Sequence, residues 1–468
     1  MRRQVGIGAI GRVVTTGLGF VGAIAVARFV DAPEVYGSFF ILLAVAEALM
    51  KPVGGWVAGC RKRITERDNA EERFFGAAWV VVAGSFGILT PVLWGLNDVL
   101  ARYVIIDSPW LPLWILFVSN GVFTYSLNIL NVRGNFGVGP WIDGIQGLLK
   151  YGFQIALVLA GFGVWGMAIG FATAALLVTP VIWWSIGIRP ALPDLEVMRS
   201  TWDFARLAIP GTLLGTLLGR VDTLMLGFFT SSAVVGNYQV TNQITMVMPM
   251  IVGVASGGLL GRISDLHSVG KRIDTVTEDV LNISVVIALP VLVGGLIIGP
   301  QIIWIPFGTK YEMAFVFFLW VAIYRTISAY NSPMASVVNG MDRPDYALRA
   351  RVVKFTSNIV GGIIGFYVFG PIGIVVASVL SQLLTTVLYA RFVQKHTAVN
   401  LFPWTIRLQA LASLVMGIVV YGLKTQIGVA KWYHLVSLVG AGGIVYGAVL
   451  LFDEWHRETF VGTVREFI

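Results

Sequence analysis

The sequence predicts an all-α polytopic membrane protein: about fourteen transmembrane helices, arranged as two parallel six-helix repeats plus a C-terminal helix pair, with both termini cytoplasmic. Three observations predict it. Of 468 residues, 56% are hydrophobic and only 12% charged, against roughly 25% charged in a soluble protein. The apolar runs are about 20 residues long, the length of a membrane helix rather than of an alternating barrel strand of about 10. The third observation is an internal repeat. Ala27–Phe39 (ARFVDAPEVYGSF) lies on Leu226–Tyr238 (LGFFTSSAVVGNY) at a constant shift of 199, pairing Phe29 with Phe228, Val35 with Val234 and Gly37 with Gly236. At the same shift Arg63-Ile64-Thr65-Glu66 meets Arg262-Ile263-Ser264-Asp265. A register held without gaps for nearly 40 residues indicates duplication, and a repeat constrains the fold before any single helix does.

In chain order, the first six spans fall near 6–30, 35–60, 74–95, 110–131, 141–161 and 164–188. Met1-Arg2-Arg3 ahead of a run of about 25 apolar residues, without a small-residue cleavage site, reads as an uncleaved first helix. A more polar linker, Arg189–Asp203, carries two prolines. Six further spans follow near 204–229, 234–261, 279–299, 313–338, 347–369 and 371–390, and a last pair at 405–423 and 433–452. The expected domains are a lobe at 1–190, a cytoplasmic linker at 191–203, a second lobe at 204–395 and the helix pair with its tail at 396–468. A second match supports the duplication: Phe162-Gly163-Val164-Trp165-Gly166 lies on Phe369-Gly370-Pro371-Ile372-Gly373 at a shift of 207.

Orientation follows from the basic residues. With the N-terminus in the cytoplasm and basic residues at span ends counted with the adjacent side, 22 of the 33 Lys and Arg residues fall on the inner side, 5 on the outer side and 6 inside spans. The inner loop Arg61–Arg73 alone holds Arg61, Lys62, Arg63, Arg67 and Arg73. The net charge of +8 is therefore a topology signal, and no nucleic-acid partner is expected. Spans 1 and 7 run in the same direction, so the halves are parallel repeats, an arrangement that puts a transport site near the midplane between them.

The basic residues within spans are Arg12, Lys51, Lys150, Arg220, Arg325 and Lys354; the acids are Glu47, Asp143 and Asp222. At about 2.5–3.5 kcal/mol for each central basic residue, six facing lipid would cost roughly 15–20 kcal/mol. They must line a polar cavity, pair with acids or snorkel. Snorkelling to the cytoplasmic interface is open to Arg12, Lys150 and Lys354, but accounts poorly for Lys51, Arg220 and Arg325. Lys51 can also pair with Glu47 four residues before it. Arg220 and Asp222, two apart, do not share a helix face, so Asp222 is expected to meet a cation on another helix. Gln239, Asn242 and Gln243 in span 8, and Tyr324, Ser328 and Asn331 in span 10, are polar at helical spacings. Each alone suits an interhelical hydrogen bond; together with the cations they predict a wet, electropositive cavity for an anion and sugar hydroxyls. Glu47 and Asp222 are the candidate ion-coupling carboxylates.

No catalytic motif occurs. The four histidines fall in or near loops without metal spacing, and the single cysteine, Cys60, excludes an internal disulfide and a cysteine-based metal site. Neither an enzyme activity nor a metal or cofactor is expected, apart from coupling to protons, Na+ or the membrane potential.

The Phe204–Tyr238 stretch, with Arg220-Val221-Asp222-Thr223 and Val235-Gly236-Asn237-Tyr238, and the turn Ala32-Pro33-Glu34-Val35-Tyr36-Gly37 resemble the polysaccharide and O-antigen (Wzx-type) flippases of the multidrug/oligosaccharidyl-lipid/polysaccharide (MATE-like) exporter superfamily. The resemblance covers essentially the whole chain. It implies translocation of a lipid-linked oligosaccharide, on a polyprenyl or dolichyl phosphate or diphosphate, from the inner to the outer leaflet of the cell membrane by alternating access. It also implies that Arg12, Lys51 and Arg220 contact the phosphate or an acidic glycan. Partners would be the lipid-linked substrate, the bilayer and other glycan-assembly membrane proteins. Two transporters of the same fold stay open as alternatives: a peptidoglycan-precursor flippase, and a cation-coupled multidrug exporter, which would favour an acidic cavity. A membrane scaffold in a glycan-assembly complex is the non-transport alternative.

Overall fold

The computed structural model describes residues 2–66, 71–132, 138–187, 189–249, 252, 259, 261–266 and 273–458, with side chains from Thr15 onwards and without that of Val132. The described residues are helical and contain no strand. Their contacts divide the chain into two compact units, Met1–Gln239 and Val240–Ile468.

The first unit contains α1 (Arg2–Phe29), α2 (Pro33–Glu66), α3 (Glu71–Gly95), the single turn α4 (Asn97–Leu100), α5 (Trp110–Val132), α6 (Gly139–Leu159), α7 (Gly163–Ile186) and α8 (Leu195–Phe229). α9 (Ser232–Thr245) carries the border. The second unit holds the helical residues 261–266 (α10), then α11 (Asp274–Ser284), α12 (Ala288–Phe307), α13 (Ala314–Gly340), α14 (Pro344–Phe369), α15 (Pro371–His396), α16 (Trp404–Ile427) and α17 (Trp432–Leu450).

Eleven of these runs are long and apolar enough to cross a membrane: α2, α3, α5, α7, α8, the α11–α12 run and α13 to α17. The other three expected spans fall outside that count. In α1 the side chains before Thr15 lie outside the described residues, and the apolar part described is Thr15–Phe29. α6 carries Asp143, Gln146, Lys150 and Gln154, which dilute its hydropathy. Much of the span expected near 234–261 lies outside the described residues.

The polar linker is shorter than its composition suggests. Asp194 accepts the N–H of Val197 at 2.8 Å and starts α8 at Leu195, an N-cap that satisfies one of the donors a helix start leaves open. The same carboxylate binds Arg73 at 2.7 Å, and Ala191 N–H donates to the carbonyl of Glu72, so the connection is held against the start of α3.

Small residues explain why α8, the expected first helix of the second repeat, folds into the first unit. α2 carries a small-xxx-small pair, Gly55 and Gly59, of the type that lets membrane helices approach backbone to backbone. A Cβ at Gly55 would lie 2.6 Å from the Cα of Ile209, and one at Gly59 would lie 3.0 Å from the carbonyl of Thr201. The compact unit therefore ends after the repeat boundary, because α8 packs on α2. Farther along the seam Thr212 Oγ1 donates to the carbonyl of Lys51 at 3.2 Å. Tyr125 from α5 donates to the neighbouring carbonyl of Met50. Both bonds tie neighbouring helices to α2 beside Pro52.

Candidate functional site

A polar cavity in the first unit has a volume of about 490 Å3 and is walled by α2, α5 and α8. Its construction is periodic. From α2 come Glu47, Lys51, Gly54, Ala58 and Arg61, at steps of four, three, four and three, which is one face of a helix. α5 contributes Asn120, Thr124 and Asn128, one turn apart, and α8 contributes the pairs Gly211-Thr212 and Gly215-Thr216. The glycines make the space: a Cβ at Gly211 or Gly215 would meet nothing within 4 Å. From Glu47 to Arg61 the α2 face extends over about 21 Å at 1.5 Å per residue.

Two of the charges cancel. Arg220 of α8 grips Glu47 in two-pronged fashion, Nε to Oε2 and Nη2 to Oε1, both at 2.8 Å. The side chains are 27% and 23% exposed, so the pair is largely withdrawn from solvent. The expected pairing of Glu47 with Lys51 is thereby replaced, since the fork of a guanidinium matches both carboxylate oxygens and a lysine ammonium does not. Asp222 accepts the hydroxyl of Tyr238 at 2.8 Å, and Glu47 meets a cation from another helix.

Two cations remain. Arg61 donates to Asn128 Oδ1 at 3.0 Å, a neutral partner, and among the described residues no carboxylate forms an ion pair with Lys51 or Arg61. The cavity thus offers two positive groups, three side-chain amide or hydroxyl positions on α5 and two hydroxyls on α8. This is a donor-rich lining suited to an anion bearing hydroxyl groups.

The remaining expected residues are distributed elsewhere. The side chain of Arg12 lies outside the described residues. Lys150 of α6 sits over the ring of Tyr151, 4.2 Å from its centroid, and 5.9 Å from that of Phe171. Gln239 is buried and ties α9 to α8 through Thr223 at 2.8 Å. In the second unit, Arg325 donates to Asn242 Oδ1 at 3.2 Å, and its Nε is buried without a partner. Lys354 donates to Tyr324 at 3.1 Å and to Gln382. Tyr324 lies beneath both cations, 5.9 Å from Arg325 and 5.1 Å from Lys354. Asn331 is buried with its carbonyl oxygen unpartnered, and Gln243 is half-buried.

Arg61 was missed as a site residue because its basic neighbours assign it to the inner loop. The signal was nevertheless present: the spacing 47, 51, 54, 58, 61 continues one face past the expected end of the span. The Asn120, Thr124, Asn128 stripe is a second signal of the same kind.

A family model described as "Polysaccharide biosynthesis protein" matches residues 25–316, well over half of the chain. The chain belongs to this family. Among its relatives, the probable flippase AglR of Haloferax volcanii is 25% identical over 443 residues, covering 92% of each protein. The probable low-salt glycan biosynthesis flippase Agl15 of the same organism is 23% identical, covering 96% of this chain and 95% of its own. In fold, this family member is similar to the lipid II flippase MurJ in an inward closed conformation, with a TM-score of 0.77 at 16% identity over 97% of this chain and 99% of that one. An inward-facing multidrug resistance MATE transporter matches with a TM-score of 0.63 at 14% identity, over 83% of this chain and 97% of its own. The fold is therefore of the MurJ and MATE type.

Proposed function

We propose that this protein is a flippase that carries a lipid-linked oligosaccharide from the cytoplasmic to the outer leaflet of the cell membrane. The observation that carries the reading is the α2–α5–α8 cavity, whose Lys51 and Arg61, both on the membrane-length helix α2, have no acidic partner among the described residues. Uncompensated cations at such positions cost energy unless an anion is their purpose. The carrier's phosphate or diphosphate is the anion we assign to them, and Asn120, Thr124, Asn128, Thr212 and Thr216 are the groups we assign to the sugars. The substrate class is supported by the family and by two relatives named as probable flippases, one of them for glycan biosynthesis.

The accompanying topology is fourteen spans with both termini cytoplasmic, which puts Arg61 at the inner end of the cavity and Glu47 deeper. Movement by alternating access would leave the lipid tail in the bilayer. The Glu47–Arg220 pair suits a structural or ion-coupling role more than phosphate binding, since its guanidinium is already neutralised. Other membrane proteins of glycan assembly are proposed partners.

The test is flipping of a fluorescent lipid-linked oligosaccharide in proteoliposomes by wild type, Lys51→Ala and Arg61→Ala. Movement by the wild type that fails in both variants, with unchanged folding, is the expected outcome. Equal movement by all three proteins would refute the cavity assignment. Movement of a peptidoglycan precursor but of no other lipid-linked glycan would narrow the substrate to that class.

A further inference from the structure

The second unit contains a cavity unlike the first, about 550 Å3 in volume and walled by α13, α15 and the residues that bracket α12 and α16. Its interior is apolar, with Leu289, Ile327, Leu383, Val387 and Ile406 among its walls. The hydroxyls in that wall are spent locally: Thr326 donates to the carbonyl of Ala322 and Thr386 to that of Gln382, both at 2.9 Å. Tyr330 donates to the carbonyl of Leu401 while its ring stacks on Phe402 at 5.9 Å between centroids. Away from Arg391 and Gln394, the wall therefore offers little that would hold water.

Two polar groups are left, Arg391 and Gln394, three apart near the end of α15. Arg391 is exposed and, among the described residues, pairs with no carboxylate. Asp274 and Glu278 of α11 point at the connection that follows α15, where they accept the N–H groups of Ala398 and Asn400. Phe402 and Trp404 at the same end are 62% and 61% exposed, the placement of aromatic residues at a membrane interface. The outer flank of α15 is apolar and open, with Leu380 60% and Leu383 48% exposed.

We infer that this cavity is a binding site for an anionic glycerophospholipid of the surrounding bilayer, with an acyl chain in the apolar space and the phosphate at Arg391 and Gln394. Charge complementarity at the mouth and an apolar interior are what an amphiphile with an anionic head requires. The site holds its own cation, so it is complete without the phosphate assigned to Lys51 and Arg61; this points to a resident lipid, not the transported carrier. The inference stands apart from the proposed transport.

The full-length protein in detergent is titrated with phosphatidylglycerol and with phosphatidylcholine, and bound lipid is counted by native mass spectrometry. The wild type is expected to bind phosphatidylglycerol about five-fold more tightly, the effect of one basic side chain near a membrane surface. Arg391→Gln should abolish that preference, and Val387→Trp, which occupies the cavity, should weaken both lipids while thermal unfolding stays unchanged. Equal binding of both lipids by the wild type, or phosphatidylglycerol binding unaffected by both variants, would overturn the inference. A polyprenyl phosphate that displaces phosphatidylglycerol more effectively than phosphatidylglycerol itself would reassign the cavity to the carrier and overturn it too. Because binding is the readout, a failed flipping assay would leave the result intact.

Discussion

Gly37 of α2 and Gly236 of α9 meet backbone to backbone, and they are the same position of the internal repeat. A Cβ at Gly37 would lie 1.7 Å from the carbonyl of Ser232 and 2.7 Å from the N of Gly236. A Cβ at Gly236 would lie 2.1 Å from the carbonyl of Pro33 and 3.3 Å from the N of Gly37. Ser232 is the repeat partner of Pro33, as Gly236 is of Gly37, at the shift of 199. Each glycine thus touches the counterpart of the residue its partner touches, the reciprocity expected of contacts across a two-fold relationship.

Alanine at either position forces the crossing apart, because the obstruction is backbone and cannot rotate away. Gly37→Ala and Gly236→Ala should each lower stability by about 1–3 kcal/mol, the usual cost of overpacking. Gly219→Ala, where an added Cβ meets nothing within 4 Å, is the control and should be neutral or mildly stabilising. Thermal unfolding of the purified proteins checks all three.

Breaking the Glu47–Arg220 pair leaves a charge stranded between α2 and α8. Removing one partner of a buried pair costs about 3–5 kcal/mol, and with roughly a quarter of each side chain exposed the lower end is expected. Glu47→Gln and Arg220→Gln should each destabilise, while the double variant loses much less than the sum. A double-mutant cycle read by chemical or thermal unfolding measures that coupling.

Lys51 should behave in the opposite way. Its ammonium lines the cavity without an acidic partner among the described residues, so Lys51→Ala should alter stability by no more than about 0.5 kcal/mol while lowering flipping strongly. Paired unfolding and flipping measurements on one preparation separate this residue from Arg220, whose loss should show in both.

An anionic headgroup moving outward gains from a cytoplasm-negative potential. At 100 mV each net charge is favoured by about 2.3 kcal/mol, close to a 50-fold change in the equilibrium distribution between leaflets. Imposing a potassium diffusion potential on proteoliposomes should shift the leaflet distribution of the fluorescent lipid in that direction, and reversing the potential should reverse the shift.

Class, repeat and family resemblance were all readable in one dimension. Apolar runs of membrane length, sparse charge and a constant shift of 199 depend only on composition and order, and the apolar runs follow from the requirement that a chain in lipid satisfy its backbone within helices. The presence of Lys51, Arg220 and Glu47 in the spans was equally legible, because a charge at that depth demands a partner. Which partner was not. Glu47 lies four residues from Lys51 and 173 from Arg220, yet the distant guanidinium takes both its oxygens. That choice depends on the helix crossing that Gly55 and Gly59 permit between α2 and α8. The same crossing turned Arg61 from a loop charge into a wall of the cavity and drew the first helix of the second repeat into the first compact unit. Sequence alone determined that charges at such depth need partners; close packing of small residues decided which cation the acid Glu47 satisfies and which cations line the cavity without an acidic partner among the described residues.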